Sequence, residues 1–171
     1  FACCCLFNLL NPFINDIWVK KDTVFGTGVV LLIVMKTYFT GMRSSAQTFK
    51  NAKGLYWYNK YMPIYESLIN LGVSLVLVKP LGVSGVLLGT IVSTVTTCAW
   101  IEPYVLYKYG FHKSVMPYYK NYLKLSLVFF AILGVCYGAV SLVPGHSFIA
   151  FLIKLVISVI LPNILLYIIF R

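Results

Sequence analysis

Several apolar runs in this chain, among them 83–107 and 148–170, approach or exceed the roughly 20 residues that a helix needs to cross the hydrocarbon of a bilayer. That feature limits what the chain can become more than any other. Composition agrees: 60% of the residues are hydrophobic, only 11% are charged, and the mean hydropathy is +0.88. A water-soluble domain carries about a quarter of its residues as charges. The expected class is therefore all-α, a polytopic transmembrane helix bundle.

Breakers divide the chain into six helical segments. The first ends near Ile14, and the others cover about 24–42, 62–78, 83–107, 125–143 and 148–170. Pro12, Pro63, the KPLG turn at 79–82, Pro117 and the VPGHS stretch at 143–147 mark the joints. The chain opens on Phe1, and its first apolar run lacks the charged start of a signal peptide. It reads as a piece of a longer protein that begins inside a helix.

Net charge is +10, which in a soluble domain would suggest nucleic acid. Placing the cations on the six segments gives a membrane explanation. Arg43, Lys50, Lys53, Lys60, Lys108, Lys113, Lys120, Lys124 and Arg171 fall on the side of the 43–61 loop, against Lys20, Lys21 and Lys79 on the other. Lys36 and Lys154 lie within spans. By the positive-inside rule the 43–61 and 108–124 loops, and the C-terminus, are cytoplasmic. Both loops are rich in Tyr, with Trp57 among them, as a headgroup-level aromatic belt requires. No nucleic-acid partner is needed.

The polar residues inside the spans fall into stripes. Gly85, Gly89, Ser93 and Thr97 recur every four residues, as do Gly134 and Gly138, and small residues at that spacing let membrane helices approach closely. A second stripe on the fourth segment holds Thr90, Thr94, Cys98 and Glu102; the third segment has Glu66, Asn70 and Ser74; the second has Lys36, Thr40 and Arg43. At about 1.5 Å per residue, Glu66 lies about 6 Å inside the cytoplasmic boundary, Glu102 about 8 Å and Lys36 about 9 Å. A charge facing lipid at a helix centre costs about 2.5–3.5 kcal/mol on insertion scales, so these groups turn inward. Two uses are open: a buried Lys–Glu pair that fixes the helix arrangement, or a hydrophilic cavity open to the cytoplasm with Lys36 and Arg43 as an anion path.

Other chemistry finds no support. Cys3, Cys4 and Cys5 are adjacent and cannot readily bridge one another, and Cys98 and Cys136 sit in apolar segments as small hydrophobes. His112 and His146 fall on opposite sides of the membrane, and no Cys/His cluster has zinc spacing. The GTG at 26–28 lacks the rest of a phosphate loop. No nucleophile stands beside a base, so neither a catalytic residue, a metal ligand nor a cofactor is expected, and the chain reads as no enzyme. A membrane-embedded glycosyltransferase would want an acidic or Arg-rich outer loop, where only Asp16 and Asp22 are on offer.

Residues 51–111, with NAKGL, the hairpin NLGVSLVLVKPLGVSGVLLGT and WIEPYVLYKYGF, together with PFINDIW upstream, resemble the later half of bacterial polysaccharide flippases. Those flippases are similar to MATE-type multidrug exporters and lipid II flippases. The resemblance implies a MATE-like flippase fold of two six-helix lobes plus two extra C-terminal helices. Residues 1–108 would then be the C-terminal part of the second lobe, and 109–171 a cytoplasmic loop with the two extra helices, which fit by hydropathy. It also implies a multi-pass protein of the bacterial cytoplasmic membrane, flipping undecaprenyl-pyrophosphate-linked oligosaccharide repeat units for polysaccharide biosynthesis. Its partners would be the lipid-linked oligosaccharide, membrane lipids, the N-terminal lobe of the same chain and a polysaccharide polymerase.

On that reading Lys36, Thr40 and Arg43 suit the pyrophosphate, Asn70, Ser74, Thr90 and Thr94 the sugar hydroxyls, and Glu66 or Glu102 an ion pair or a coupling proton. These roles come from depth and helical face. A cation-coupled multidrug exporter of the same fold is the alternative.

Overall fold

The structure, a computed structural model, describes residues 2–14, 26–143 and 148–171. Among the described residues it is helical, without strands: α1 Ala2–Pro12, α2 Thr27–Ala52, a 3-10 turn Trp57–Asn59, α3 Met62–Leu81, α4 Val83–Ser93, a π segment Thr94–Cys98, α5 Ala99–Val105, a π segment Leu106–Phe111, α6 Met116–Ser141 and α7 Phe148–Phe170. Four continuous helical stretches, Trp57–Leu81, Val83–Phe111, Met116–Ser141 and Phe148–Ile169, are long and apolar enough to cross a membrane. Among the described residues the chain is thus all-helical, and its four long apolar helices fit a membrane protein. Asp16, Lys20, Lys21, Asp22 and His146, and the end of PFINDIW, lie outside the described residues.

Two expected loops are largely helix. At 26 residues α2 is long enough to span, but with Lys36, Arg43 and Lys50 along it, it is not among the apolar four. It runs on to Ala52 because RSSAQTFKNA, residues 43–52, contains no breaker; Gly54, at φ +67°, follows it. Likewise α6 begins at Met116, with Pro117 in the first turn, where the missing amide costs nothing. The expected 108–124 loop therefore shrinks to 112–115, which begins with His112 in the left-handed region at φ 51°.

The chain forms two compact units, residues 1–34 with 123–171, and residues 35–122. In the first, Cys4, Val34, Ile132, Leu133 and Cys136 form a buried core, with Leu6, Phe7 and Leu165 packed around it. Cys4 and Cys136 are unbridged and behave as small hydrophobes. Gly134 and Gly138 have open space around the position of an added Cβ. Among the described residues, then, no helix uses that stripe for close approach, against the expectation from its spacing.

In the second unit α3 ends at Leu81, and Gly82, at φ +55°, turns the chain so that α4 folds back along α3. Here the small-residue stripe does what its spacing predicts. A Cβ at Gly85 would collide with the Leu77–Val78 backbone, and one at Gly89 with Ser74. Ser93 and Thr97 continue the same face, buried at 0% and 4% exposure.

Beyond Ser93 the helix widens. The Ala99 amide donates to the Thr94 carbonyl five residues back, and Pro103, four residues further on, has no amide to give. Insertions of this kind cluster at functional sites, and the carboxylate of Glu102 stands directly beside this proline.

Candidate functional site

Arg43 and Lys50 are seven residues apart on α2, hence on one face about two turns apart. Glu66 projects from α3 and Glu102 from α5. All four meet in the second unit. Arg43 Nε donates to Glu102 Oε2 at 2.9 Å, and Arg43 Nη1 to Glu66 Oε1 at 2.9 Å. Lys50 Nζ donates to Glu102 Oε1 at 3.2 Å. Two cations and two carboxylates thus tie three helices together.

Glu102 is fully buried and the largest side chain among the residues that are. Moving a bare carboxylate from water into a medium of low dielectric costs several kcal/mol even after relaxation. Here each carboxylate oxygen meets its own cation, which is how a buried charge is tolerated. The Arg43–Glu66 arm is more open, with the two side chains 21% and 22% exposed. The cluster is therefore graded, sealed at Glu102 and accessible at Glu66.

Hydroxyls extend it along the α3–α4 hairpin. Thr94 Oγ1 lies 3.5 Å from Glu66 Oε1 as a donor. Ser74 donates to Asn70 Oδ1 at 3.0 Å, and Asn70 Nδ2 approaches Thr90 Oγ1 at 3.5 Å. The remaining hydroxyls turn back on their own helix: Thr96 donates to the Val92 carbonyl at 2.7 Å, Thr97 to that of Ser93, and Ser93 to that of Thr90. This back-bonding supplies the hydroxyls with acceptors where lipid has none.

Of the residues expected at the site, Arg43, Glu66, Thr94 and Glu102 come together, and Asn70, Ser74 and Thr90 form an adjoining polar zip. Lys36 and Thr40 do not join them. Both are exposed, and Lys36 has no ion-pair partner among the described residues. The inward turn expected of Lys36 is thus replaced by Arg43 and Lys50. Lys36 lies on the same face of α2, but about two turns, or 10 Å, before Arg43, too far along the helix to reach Glu66 or Glu102.

Lys50, expected in the 43–61 loop, lies instead inside α2. The signal was present: seven-residue spacing from Arg43 with no Gly or Pro between them.

A polar cleft of about 330 Å³ opens beside the cluster, lined by Arg43, Lys50, Asn51, Asn59, Lys60 and Glu102 among others. Asn59 is buried there, with its Oδ1 unpartnered. Across the Arg43–Glu102 pair lies a void of only about 20 Å³, bounded by Phe39, Cys98, Tyr118 and Tyr122. Of the three cations on the cleft, Arg43 and Lys50 are already paired with Glu66 and Glu102, which leaves Lys60 as the excess positive charge that an anion entering the cleft would meet. No protein-family model, no curated protein and no solved structure matches the chain.

Proposed function

We propose that the chain is part of a transporter that flips undecaprenyl-pyrophosphate-linked oligosaccharide repeat units across the bacterial cytoplasmic membrane, with its C-terminus cytoplasmic. The observation that carries this reading is the cationic cleft of about 330 Å³ set against the buried Arg43–Glu102 pair. Ionisable groups inside a membrane bundle are costly and mark pathways for polar cargo. The lipid tail of such a substrate stays in the bilayer while its pyrophosphate and sugars need a polar route.

Arg43, with Lys50 and Lys60 behind it, would receive the pyrophosphate, and exposed Lys36 and Thr40 would continue that route along α2. A carboxamide has two N–H donors and a hydroxyl two lone pairs, so Asn70, Ser74, Thr90 and Thr94 keep capacity for sugar hydroxyls beyond their mutual bonds. Movement follows alternating access, with one lobe rocking against the other. The resemblance of residues 11–111 to polysaccharide flippases supports the same reading, as does the cation bias that puts the cleft on the cytoplasmic side.

The test is export of surface polysaccharide in a flippase-deficient strain supplied with the full-length protein. Arg43→Glu or Lys36→Glu abolishes export while the protein remains in the membrane. Normal export by both variants would remove the anion path. A cation-coupled exporter of the same fold is the second reading, favoured by the accessible carboxylate of Glu66, which a cation or proton could reach. It predicts that Glu66→Gln abolishes drug efflux, whereas the flippase reading ties the loss of transport to Arg43.

A further inference from the structure

The first unit holds a separate, half-open cavity of about 290 Å³ lined by α1, the start of α2, α6 and α7. On its wall Asn8 is only 6% exposed, and neither its carboxamide nitrogen nor its oxygen has a hydrogen-bond partner. A buried amide left unpaired costs folding free energy, because it gives up water and gains nothing. Thr27, Tyr137 and Ser141 line the same space and Lys154 borders it, adding hydroxyls and an ammonium. Phe7 and Tyr137, also on the wall, lie 5.4 Å apart between ring centroids at 59°.

We propose that this cavity binds a polyol with two adjacent hydroxyls, such as a single sugar ring or a glycerol headgroup. A carboxamide holds a donor and an acceptor side by side, so Asn8 matches one hydroxyl that accepts and a neighbour that donates. An apolar chain would leave both atoms of Asn8 unpaired, and a lone hydroxyl would satisfy one. The Phe7–Tyr137 wall supplies an apolar surface for the C–H face of the ligand. A volume of about 290 Å³ lies at the lower end of small-molecule sites, which begin near 300 Å³. That volume suits a single ring.

This inference does not rest on the transport reading, since binding is measured without transport and either result can stand without the other. The experiment is saturation-transfer NMR on the full chain in detergent with methyl α-glucoside or methyl α-mannoside. A second arm uses the full chain in nanodiscs containing phosphatidylglycerol. Transfer to the glycoside ring protons, lost in Asn8→Leu, weakened in Tyr137→Ala and kept in Ser158→Ala, supports a sugar as the source. The same pattern on the glycerol headgroup protons alone supports a lipid as the source. Ser158, buried with an unpartnered hydroxyl but off the cavity wall, controls for removal of an unpaired polar group. Because Asn8→Leu removes an unsatisfied group, its melting temperature stays level or rises, so loss of binding is not loss of fold. Absence of transfer in both arms, or transfer undiminished in both Asn8→Leu and Tyr137→Ala, overturns the proposal.

Discussion

Arg43 and Glu102, 59 residues apart in the chain, meet at 2.9 Å with the carboxylate side chain 1% exposed. The contact closes α2 against α5, and it explains how a full carboxylate sits beside Pro103 in a stretch otherwise apolar enough to span a membrane. Glu102 is held by two cations, whereas Glu66 shares one of them and stays half-buried. That difference in burial orders the consequences of mutation.

Removing one member of a buried ion pair strands the other and costs about 3–5 kcal/mol. Glu102→Ala is expected to fall in that range, since it leaves both Arg43 and Lys50 without their shared acceptor. Glu66→Ala, at the more exposed arm, is expected to cost about 1 kcal/mol or less. Thermal unfolding of the purified variants in one detergent checks the order, and equal losses would contradict the graded burial.

Glycine positions separate in the same way. Gly89→Ala drives a methyl group into Ser74 on α3 and is expected to lower the melting temperature. Gly134→Ala meets open space and replaces a poor helix former with the best, a gain of about 1 kcal/mol. It is expected to be neutral or stabilising. The same unfolding measurement distinguishes the pair, and a neutral Gly89→Ala would show that the α3–α4 contact is looser than described.

Lys36 and Thr40 are exposed polar positions in the first half of α2, while Val34 is wholly buried. In a cysteine-free background, Lys36→Cys and Thr40→Cys are expected to react with a membrane-impermeant maleimide applied from the cytoplasmic side, and Val34→Cys to be protected. Protection at both exposed positions would turn that side of α2 toward lipid or another helix and would remove it from any polar route.

The legibility of these features follows from their range. The α3–α4 hairpin and its joint were readable because apolar runs and prolines act locally, whereas the polar ends of α2 and α6 were not, and Gly85, Gly89, Ser93 and Thr97 were readable because period four lines residues on one face. The level of Glu66 and Glu102 was readable from rise per residue. The choice of cation was not, because depth counted from a guessed boundary put Lys36 beside them. The true end of α2 lies ten residues further on, at Ala52, and makes Lys50 a helical neighbour of Arg43. Gly134 and Gly138 carry the same spacing as the α4 stripe without a partner helix, which shows that spacing permits close approach and does not compel it.

The interaction between Arg43 and Glu102 is the claim on which the rest depends, and a double-mutant cycle measures it. Unfolding free energies are taken for the parent chain, Arg43→Met, Glu102→Leu and the double variant under one set of conditions. A non-additive term of about 1–3 kcal/mol is the predicted result, as for residues in direct contact within one network. Additivity to within about 0.5 kcal/mol would mean that the two side chains do not meet inside the bundle, and would contradict the account.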